Sequence, residues 1–218
     1  MSATFSEDML RQQMVDTALQ LSNKGLNRGA SGNIGVRFGS GFLITPTGLP
    51  ADEMVGGDMV LMDFDGKHQG ARSPSSEWRF HRDIFASRSD VNAIVHTHST
   101  FATTLACMGR DVPAFHYMVA AAGGRSIRCS PYATFGTQLL SDYALSALES
   151  RFACLLGNHG LIVVGGSLKR ALALTVEVES LCEQYWRVLQ AGEVNLLSDE
   201  EMDLVLHKFK SYGKPEQQ

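Results

Sequence analysis

"AIVHTHSTF", Ala93 to Phe101, is the stretch on which the reading of this chain turns. An apolar run closes on two histidines with a single threonine between them. Side chains alternate faces along a strand, so residues i and i+2 point the same way, about 7 Å apart at the backbone. A strand over Ala93 to His98 therefore turns His96 and His98 toward one point in space and Thr97 away from it. Two imidazoles so placed suit a metal ion, but they also suit a strand end wetted by solvent. Further ligands decide between the two.

Outward from that strand, helices and strands mix along the whole chain. Upstream, "SPSSEWRFHRDIF" opens a helix, with Pro74 and the serines at its start and Glu77 in its first turn. Before it, the glycine-punctuated run "NRGASGNIGVRFGSGFLITPTGLP" holds two short strands, Ile34 to Phe38 and Gly41 to Thr45, joined as a hairpin. Asp58 to Phe64 reads as another strand, followed by a turn at "DGK". The first helix is "EDMLRQQMVDTALQLSNKGL", with Met9, Met14, Ala18, Leu19 and Leu21 at helical spacing and Gly25 to end it. Downstream, helices are predicted over Thr100 to Met108, Gln138 to Glu149 and Leu168 to Gln190, and in the terminal "LSDEEMDLVLHKFK". Phe152 to Leu156 and Leu161 to Val164 read as strands. No linker, internal repeat or low-complexity segment divides the chain, so the expectation is one α/β domain of three layers over residues 1–218.

Composition narrows the function classes. With 218 residues, 44% hydrophobic and 19% charged, the chain has the balance of a soluble globular protein with a sizeable core. A net charge of −4 without any basic run argues against a nucleic-acid partner. The longest apolar stretches, such as "CLLGNHGLIVVGG", are broken and too short to span a bilayer, and Met1 to Asp16 lacks the pattern of a signal peptide. Cys107, Cys129, Cys154 and Cys182 have no Cys-x-x-Cys spacing and are expected to be reduced core residues of a cytoplasmic protein. Any metal site must then rest on histidine and carboxylate.

Two such ligands are available. His159, in "LLGNHGLIVV", stands in a Gly-Asn-His-Gly turn between two apolar strands, a place where a core-filling residue is not expected. Glu77, at a helix start, is stabilised by the helix dipole and can be presented into a cleft. Taken singly, Glu77 complements a dipole and His159 caps a turn. Taken with His96 and His98 they make three imidazoles and one carboxylate, a set suited to zinc or a similar divalent ion with room left for substrate. The other histidines are read as structural. His81, four residues after Glu77, is expected at the surface or supporting a ligand, His116 is expected to point away from Tyr117, and His68 and His207 lie in polar surroundings.

Three loops share anion-binding chemistry: "ASGN" (Ala30 to Asn33), "TPTG" (Thr45 to Gly48) and "PSSE" (Pro74 to Glu77). Small residues let backbone N–H groups approach an anion, hydroxyls add donors, and a helix N-terminus adds a favourable dipole. Each alone is ordinary turn chemistry, and none has the spacing of a nucleotide-binding loop. "PSSE", however, joins anion donors directly to the candidate ligand Glu77. A phosphate and a metal within one small substrate's length is what a sugar-phosphate enzyme needs.

"GLNRGASGN", "LITPTGLP", "PSSEWRFH", "AIVHTHS", "HYMVAAAGG", "PYATFGT", "NHGLI" and "LSDEE…KFKSYG" together form a recognisable pattern. Over essentially its whole length the chain resembles the class II aldolase/adducin family. The resemblance implies a central, largely antiparallel sheet flanked by helices, and a homotetramer with active sites shared between subunits. It also implies zinc-dependent cleavage of a ketose 1-phosphate, of the L-fuculose 1-phosphate kind, to dihydroxyacetone phosphate and an aldehyde such as L-lactaldehyde. Cobalt, manganese or iron(II) is an alternative metal. By position, Glu77, His96, His98 and His159 match the metal ligands, and Gly32, Asn33, Thr47, Gly48, Ser75 and Ser76 match the phosphate-binding residues. Glu77 and Tyr117 match the proton-transfer groups, Tyr117 reaching a neighbouring subunit's site, and Phe135 lies in a stretch associated with that shared cleft. Phe209 and Tyr212 match a mobile C-terminal tail, from about residue 208, that covers the substrate. Rival readings are an aldolase for 5-deoxyribulose or 5-methylthioribulose 1-phosphate, a dehydratase, and a 4-epimerase, for which Asp is expected where this chain has Glu77. An adducin-like interaction module would be expected to have lost the metal positions, and all four are present.

Overall fold

All five residues of the strand Ala93–Thr97 are buried, as happens only where both faces of a sheet are covered. The structure, a computed structural model, describes residues 7–209. Along the chain come α1 (Glu7–Asn23), β1 (Asn33–Phe38), β2 (Gly41–Ile44), β3 (Val60–Asp63), β4 (His68–Gln69), α2 (Trp78–Ser87) and β5 (Ala93–Thr97). They are followed by α3 (Thr100–Cys107), β6 (Arg128–Ser130), α4 (Gln138–Ala147), β7 (Ala153–Leu156), β8 (Gly160–Gly165), α5 (Leu168–Ala191) and α6 (Asp199–Phe209). The strands form one sheet in the order β4-β3-β2-β1-β5-β8-β7-β6. Only the β6–β7 pair is parallel; the other pairings are antiparallel. The Ala93 strand thus lies inside the sheet, between β1 and β8.

Alternation along the strands splits the core in two. Ile94, Ile162, Val164, Phe42 and Ile44 pack against Phe80, Ile84 and Phe85 of α2 and Leu140 and Ala144 of α4. On the opposite face, Val36, Ala93 and Val95 meet α1 and the start of α5, while Leu155, Leu161 and Val163 meet α3 and the rest of α5. The result is the three-layer α/β arrangement that the mixed pattern predicts. None of the helices among the described residues is long and apolar enough to cross a membrane.

Helix starts follow local chemistry. The Thr137 hydroxyl accepts from the Leu140 N–H to open α4, and the Ser167 hydroxyl accepts from the Arg170 N–H to open α5. α3 is different. Glu179, reaching across from α5, accepts from the Phe101 N–H (2.8 Å), the Ala102 N–H (2.9 Å) and the Ser99 hydroxyl (2.7 Å). A distant carboxylate therefore caps the helix that begins just after His98.

Several expectations need correction. β5 ends at Thr97, so His98 stands one residue past the strand. Glu77 is the residue at which α2 begins rather than part of its first turn. Cys107 is exposed and Cys129 half-buried, so only Cys154 and Cys182 are core thiols, and all four are free. The short strands His68–Gln69 and Arg128–Ser130 escaped notice because neither carries an apolar alternation long enough to register.

Candidate active site

β1 begins, β5 ends and the β7–β8 hairpin turns on the same rim of the sheet. Asn33 on β1 is paired in register with His96 on β5, so their side chains emerge side by side on one face. The hairpin loop Gly157-Asn158-His159 brings His159 to the same point, with Asn158 at a φ of 52°, a left-handed conformation that asparagine tolerates. α2 starts above this rim and lowers Glu77 onto it. The three histidines offer ligand atoms within 4.8 Å of one another. Their rings meet edge to face, with centroids 4.8–5.0 Å apart. Gly160 allows this approach: a Cβ there would lie 3.0 Å from the His98 ring and 2.4 Å from the Thr97 carbonyl oxygen.

Hydrogen bonds fix which atoms face inward. His96 Nδ1 lies 3.0 Å from the Leu161 carbonyl oxygen, which can only accept, so Nδ1 carries a proton and Nε2 faces the cluster. That Nε2 stands 3.1 Å from His98 Nε2 and 3.2 Å from Glu77 Oε2. His159 Nε2 is 3.1 Å from Glu77 Oε1, a buried oxygen with no hydrogen-bond partner of acceptable geometry. Nitrogen and carboxylate atoms so crowded form a donor set that a cation can occupy. Ligand atoms around a tetrahedral ion with bonds of about 2.0–2.1 Å are about 3.3 Å apart, close to the His96–His98, His96–Glu77 and His159–Glu77 contacts. Glu77, His96, His98 and His159 therefore fit a divalent cation.

The electrostatics agree with ligand-ready forms. Burial alone would raise the Glu77 carboxyl, but His96 and His159 beside it hold it well below the usual carboxylate range. Burial, then repulsion from His96 and His159, pushes His98 down to about 4. His98 is thus neutral near pH 7, the state that binds metal. Its backbone N–H donates to the Asn27 Oδ1, which holds the loop against the "GLN" turn before β1.

Beside the cluster opens a cavity of about 320 Å³. Gly32, Asn33, Thr47, Gly48, Ser75, Ser76 and Phe135 line it together with Glu77, His98 and His159. Two of the anion-type loops are tied to each other: the Thr47 N–H donates to the Ser73 carbonyl and the Ser75 N–H to the Thr45 carbonyl. All the proposed phosphate positions and the ligand cluster thus converge on one space. Asn33 departs from the expectation in one respect. Its amide is already engaged, donating to Glu77 Oε2 at 2.9 Å and accepting from His81 Nε2 at 2.5 Å.

Tyr117 and Phe209 are not brought to this cavity. Tyr117 lies in a short 3-10 turn, Tyr117–Ala122, with about half of it exposed. Its ring stacks on His116, centroids 4.9 Å apart, so His116 does not point away from it as expected. Phe209 ends α6 and packs against the core cluster that includes α3 and α5 residues. Tyr212 and the rest of the tail lie outside the described residues. His81 is fully buried, which rules out the surface alternative. Sequence reasoning missed Tyr132 as a lining residue and Asn27 and Glu179 as supports for the His98 segment. Tyr132 sits in the quoted "PYATFGT", whereas nothing local marks Asn27 or Glu179.

Comparison with known proteins is consistent with this geometry. Residues 12–186 match the family described as class II aldolase and adducin N-terminal domain. The chain is 56% identical to the 5-methylthioribulose-1-phosphate/5-deoxyribulose-1-phosphate aldolase of Rhodospirillum rubrum, over 94% of this chain and 92% of that one. It is 48% identical to the L-fuculose phosphate aldolase of Escherichia coli K12, over 94% and 95% of the two chains. A solved structure of an L-fuculose 1-phosphate aldolase superposes with a TM-score of 0.91 at 38% identity, covering 94% of this chain and all of the other. With its fold, its histidine cluster and its sequence in agreement, the chain belongs to the class II aldolase/adducin family, whose aldolases are metal-dependent aldehyde-lyases.

Proposed function

We propose that the chain is a zinc-dependent aldolase that reversibly cleaves the C3–C4 bond of a deoxyketose 1-phosphate. The products would be dihydroxyacetone phosphate and a short aldehyde with an apolar end. The observation that carries this reading is the convergence of Glu77, three imidazoles and the Gly/Ser/Thr loops on one cavity. Glu77, His96, His98 and His159 would hold a divalent cation, which would supply Lewis acidity to the substrate.

The chain's own groups do the rest. Hydroxyls and backbone around Thr47, Gly48, Ser75 and Ser76 hold the phosphate, which fixes the reacting carbons relative to Glu77. Glu77 Oε1, lacking a hydrogen-bond partner, exchanges the proton at C3 while Asn33 holds Oε2. Tyr117, exposed and away from its own cavity, serves the cavity of a neighbouring protomer in a homotetramer, moving the proton on the C4 oxygen. Phe135 and Tyr132 present aromatic surface to the aldehyde's apolar end. For that end, the relative at 56% identity favours a 5-deoxy- or 5-methylthio-pentulose 1-phosphate. The second reading, L-fuculose 1-phosphate, is favoured by the relative at 48% and the structural neighbour.

The test is kcat/KM on the metal-replete protein with 5-methylthioribulose, 5-deoxyribulose, L-fuculose and L-rhamnulose 1-phosphates, assaying dihydroxyacetone phosphate. A pentulose leading the series supports the first reading and L-fuculose 1-phosphate leading supports the second. Loss of water, or epimerised substrate without aldehyde, overturns both. The shared site has its own test. Tyr117→Phe and Glu77→Gln homotetramers should each be nearly inactive. Unfolded together and reassembled at random, they should regain roughly a quarter of wild-type sites in a cyclic assembly. No recovery would place both groups in one chain.

A further inference from the structure

His81 is the one fully buried histidine besides His96 among the described residues, and the chemistry above gives it no task. It lies one helical turn after Glu77, so the two side chains descend together from α2 onto β1. There, Gly35 makes room for it: a Cβ on that residue would stand 2.5 Å from His81 Nδ1. Gly35 and Asn33 share a face of β1, and the imidazole's other nitrogen meets the Asn33 amide.

The direction of this chain of bonds is determined. An ionised Glu77 carboxylate can only accept, so the Asn33 group 2.9 Å from Oε2 must be the NH₂. Asn33 Oδ1 then faces His81 Nε2 at 2.5 Å, so Nε2 must carry the proton. The bare nitrogen is Nδ1, the buried atom that has no partner. With burial, and then the neighbouring His96, lowering His81 to about 3, the ring stays neutral and keeps this single tautomer near pH 7.

We infer that His81 is a positioning residue: its Nε2–H locks the Asn33 amide so that the NH₂ always faces Glu77 Oε2, leaving Oε1 free for proton transfer. Without that lock, the Asn33 amide can turn its oxygen toward the carboxylate, where two acceptors would repel and displace Glu77. The inference rests on the proton-transfer role proposed for Glu77 and adds the residue that aims it.

The experiment separates shape from hydrogen bonding. Glutamine places an amide N–H near the position of Nε2, asparagine places one only near Nδ1, and phenylalanine fills the space with no donor. The readout is exchange of the C3 proton of dihydroxyacetone phosphate with solvent, a partial reaction that needs Glu77 but neither Tyr117 nor an aldehyde. His81→Gln should keep exchange within about threefold of wild type. His81→Asn and His81→Phe should lose about 10- to 100-fold, the usual cost of removing a hydrogen-bond partner behind a metal site. Metal content and KM for dihydroxyacetone phosphate should stay near wild type in all three. His81→Phe exchanging at the wild-type rate would overturn the positioning role. Absence of exchange in the wild type would instead overturn the proposed function. Should the variants fail to fold, ¹⁵N NMR of histidine-labelled wild-type protein, metal-free, still decides. A protonated Nε2 on His81 is expected, and a protonated Nδ1 would overturn the inference.

Discussion

The two ends of the cavity are built by opposite means. At the ligand end, Asn33, Glu77, His81 and His96 are buried; bonds spanning 44 and 48 residues join Asn33 to Glu77 and His81, and one spanning 65 ties His96 to the Leu161 carbonyl. At the other end, Thr47, Gly48 and Ser76 are exposed, and Gly32 and Gly48 take left-handed backbone angles of 74° and 69°. No lysine or arginine is among the described residues lining the cavity. Under the proposed function, one end is a cage of a few buried ligand atoms and the other a cradle of many weak donors. Losses should therefore be abrupt at the first and graded at the second.

The largest effect is expected from His96→Ala or His98→Ala, which should remove bound zinc and activity together, as measured by elemental analysis and turnover. A fully zinc-loaded but inactive His96→Ala protein would show that the cage is not the metal site. Glu77→Gln comes next. It should retain much of the metal on three imidazoles while kcat falls by about 10²–10⁴, the scale of a lost proton-transfer group. Near-normal turnover at saturating zinc would reduce Glu77 to a structural ligand.

Smaller effects belong to the cradle. Ser76→Ala or Thr47→Val should raise KM by ~10-fold, the low end for a hydrogen bond to a charged group, with kcat nearly unchanged. A collapse of kcat instead would mean that the cradle is as exacting as the cage. Smallest of all should be the influence of salt. With no basic side chain among the described residues lining the cradle, KM should shift by less than about threefold between roughly 0.05 and 0.3 M salt. A steep dependence would reveal a cation brought over the phosphate from elsewhere in the assembly.

Acid distinguishes the two ends again. His81 is neutral in the fold down to about 3, whereas in the unfolded chain it takes up a proton below its ordinary value near 6.5. The unfolded state therefore binds the extra proton in that window, and the stability of the metal-free protein should fall as pH drops from about 6.5 toward 3. Denaturant titrations of wild type and His81→Phe should show a shallower pH slope in the variant. Equal slopes would remove His81 as the source.

How much of this was legible in the sequence follows the same division. Candidate ligands whose position carries a geometric meaning could be placed: His96 by strand alternation and Glu77 by its place at a helix start, whereas His98, one residue past the strand, reaches the cluster by the turn that follows it. The cradle loops were readable as small-residue turns, but not as partners, since only the pairing of Thr47 with Ser73 and of Ser75 with Thr45 brings two of them together. His81 carried the signal, a spacing of four from Glu77, yet its burial depends on Gly35, which is far away in sequence. Glu179 was invisible. A carboxylate in a long amphipathic helix reads as solvated until α5 is seen to cross the start of α3.

The placement of β5 between β1 and β8 also governs when the site can come into being. A chain emerging from the ribosome through β5 already carries Glu77, His96 and His98, but not the hairpin that supplies His159 or the Leu161 carbonyl that orients His96. Until that hairpin docks, the candidate cluster lacks His159 and the carbonyl that orients His96. The cation should accordingly favour the completed fold over its precursors, and added zinc should raise the unfolding midpoint by mass action. The order of synthesis would then place metal capture among the last events of folding, after the sheet has closed around its middle strand.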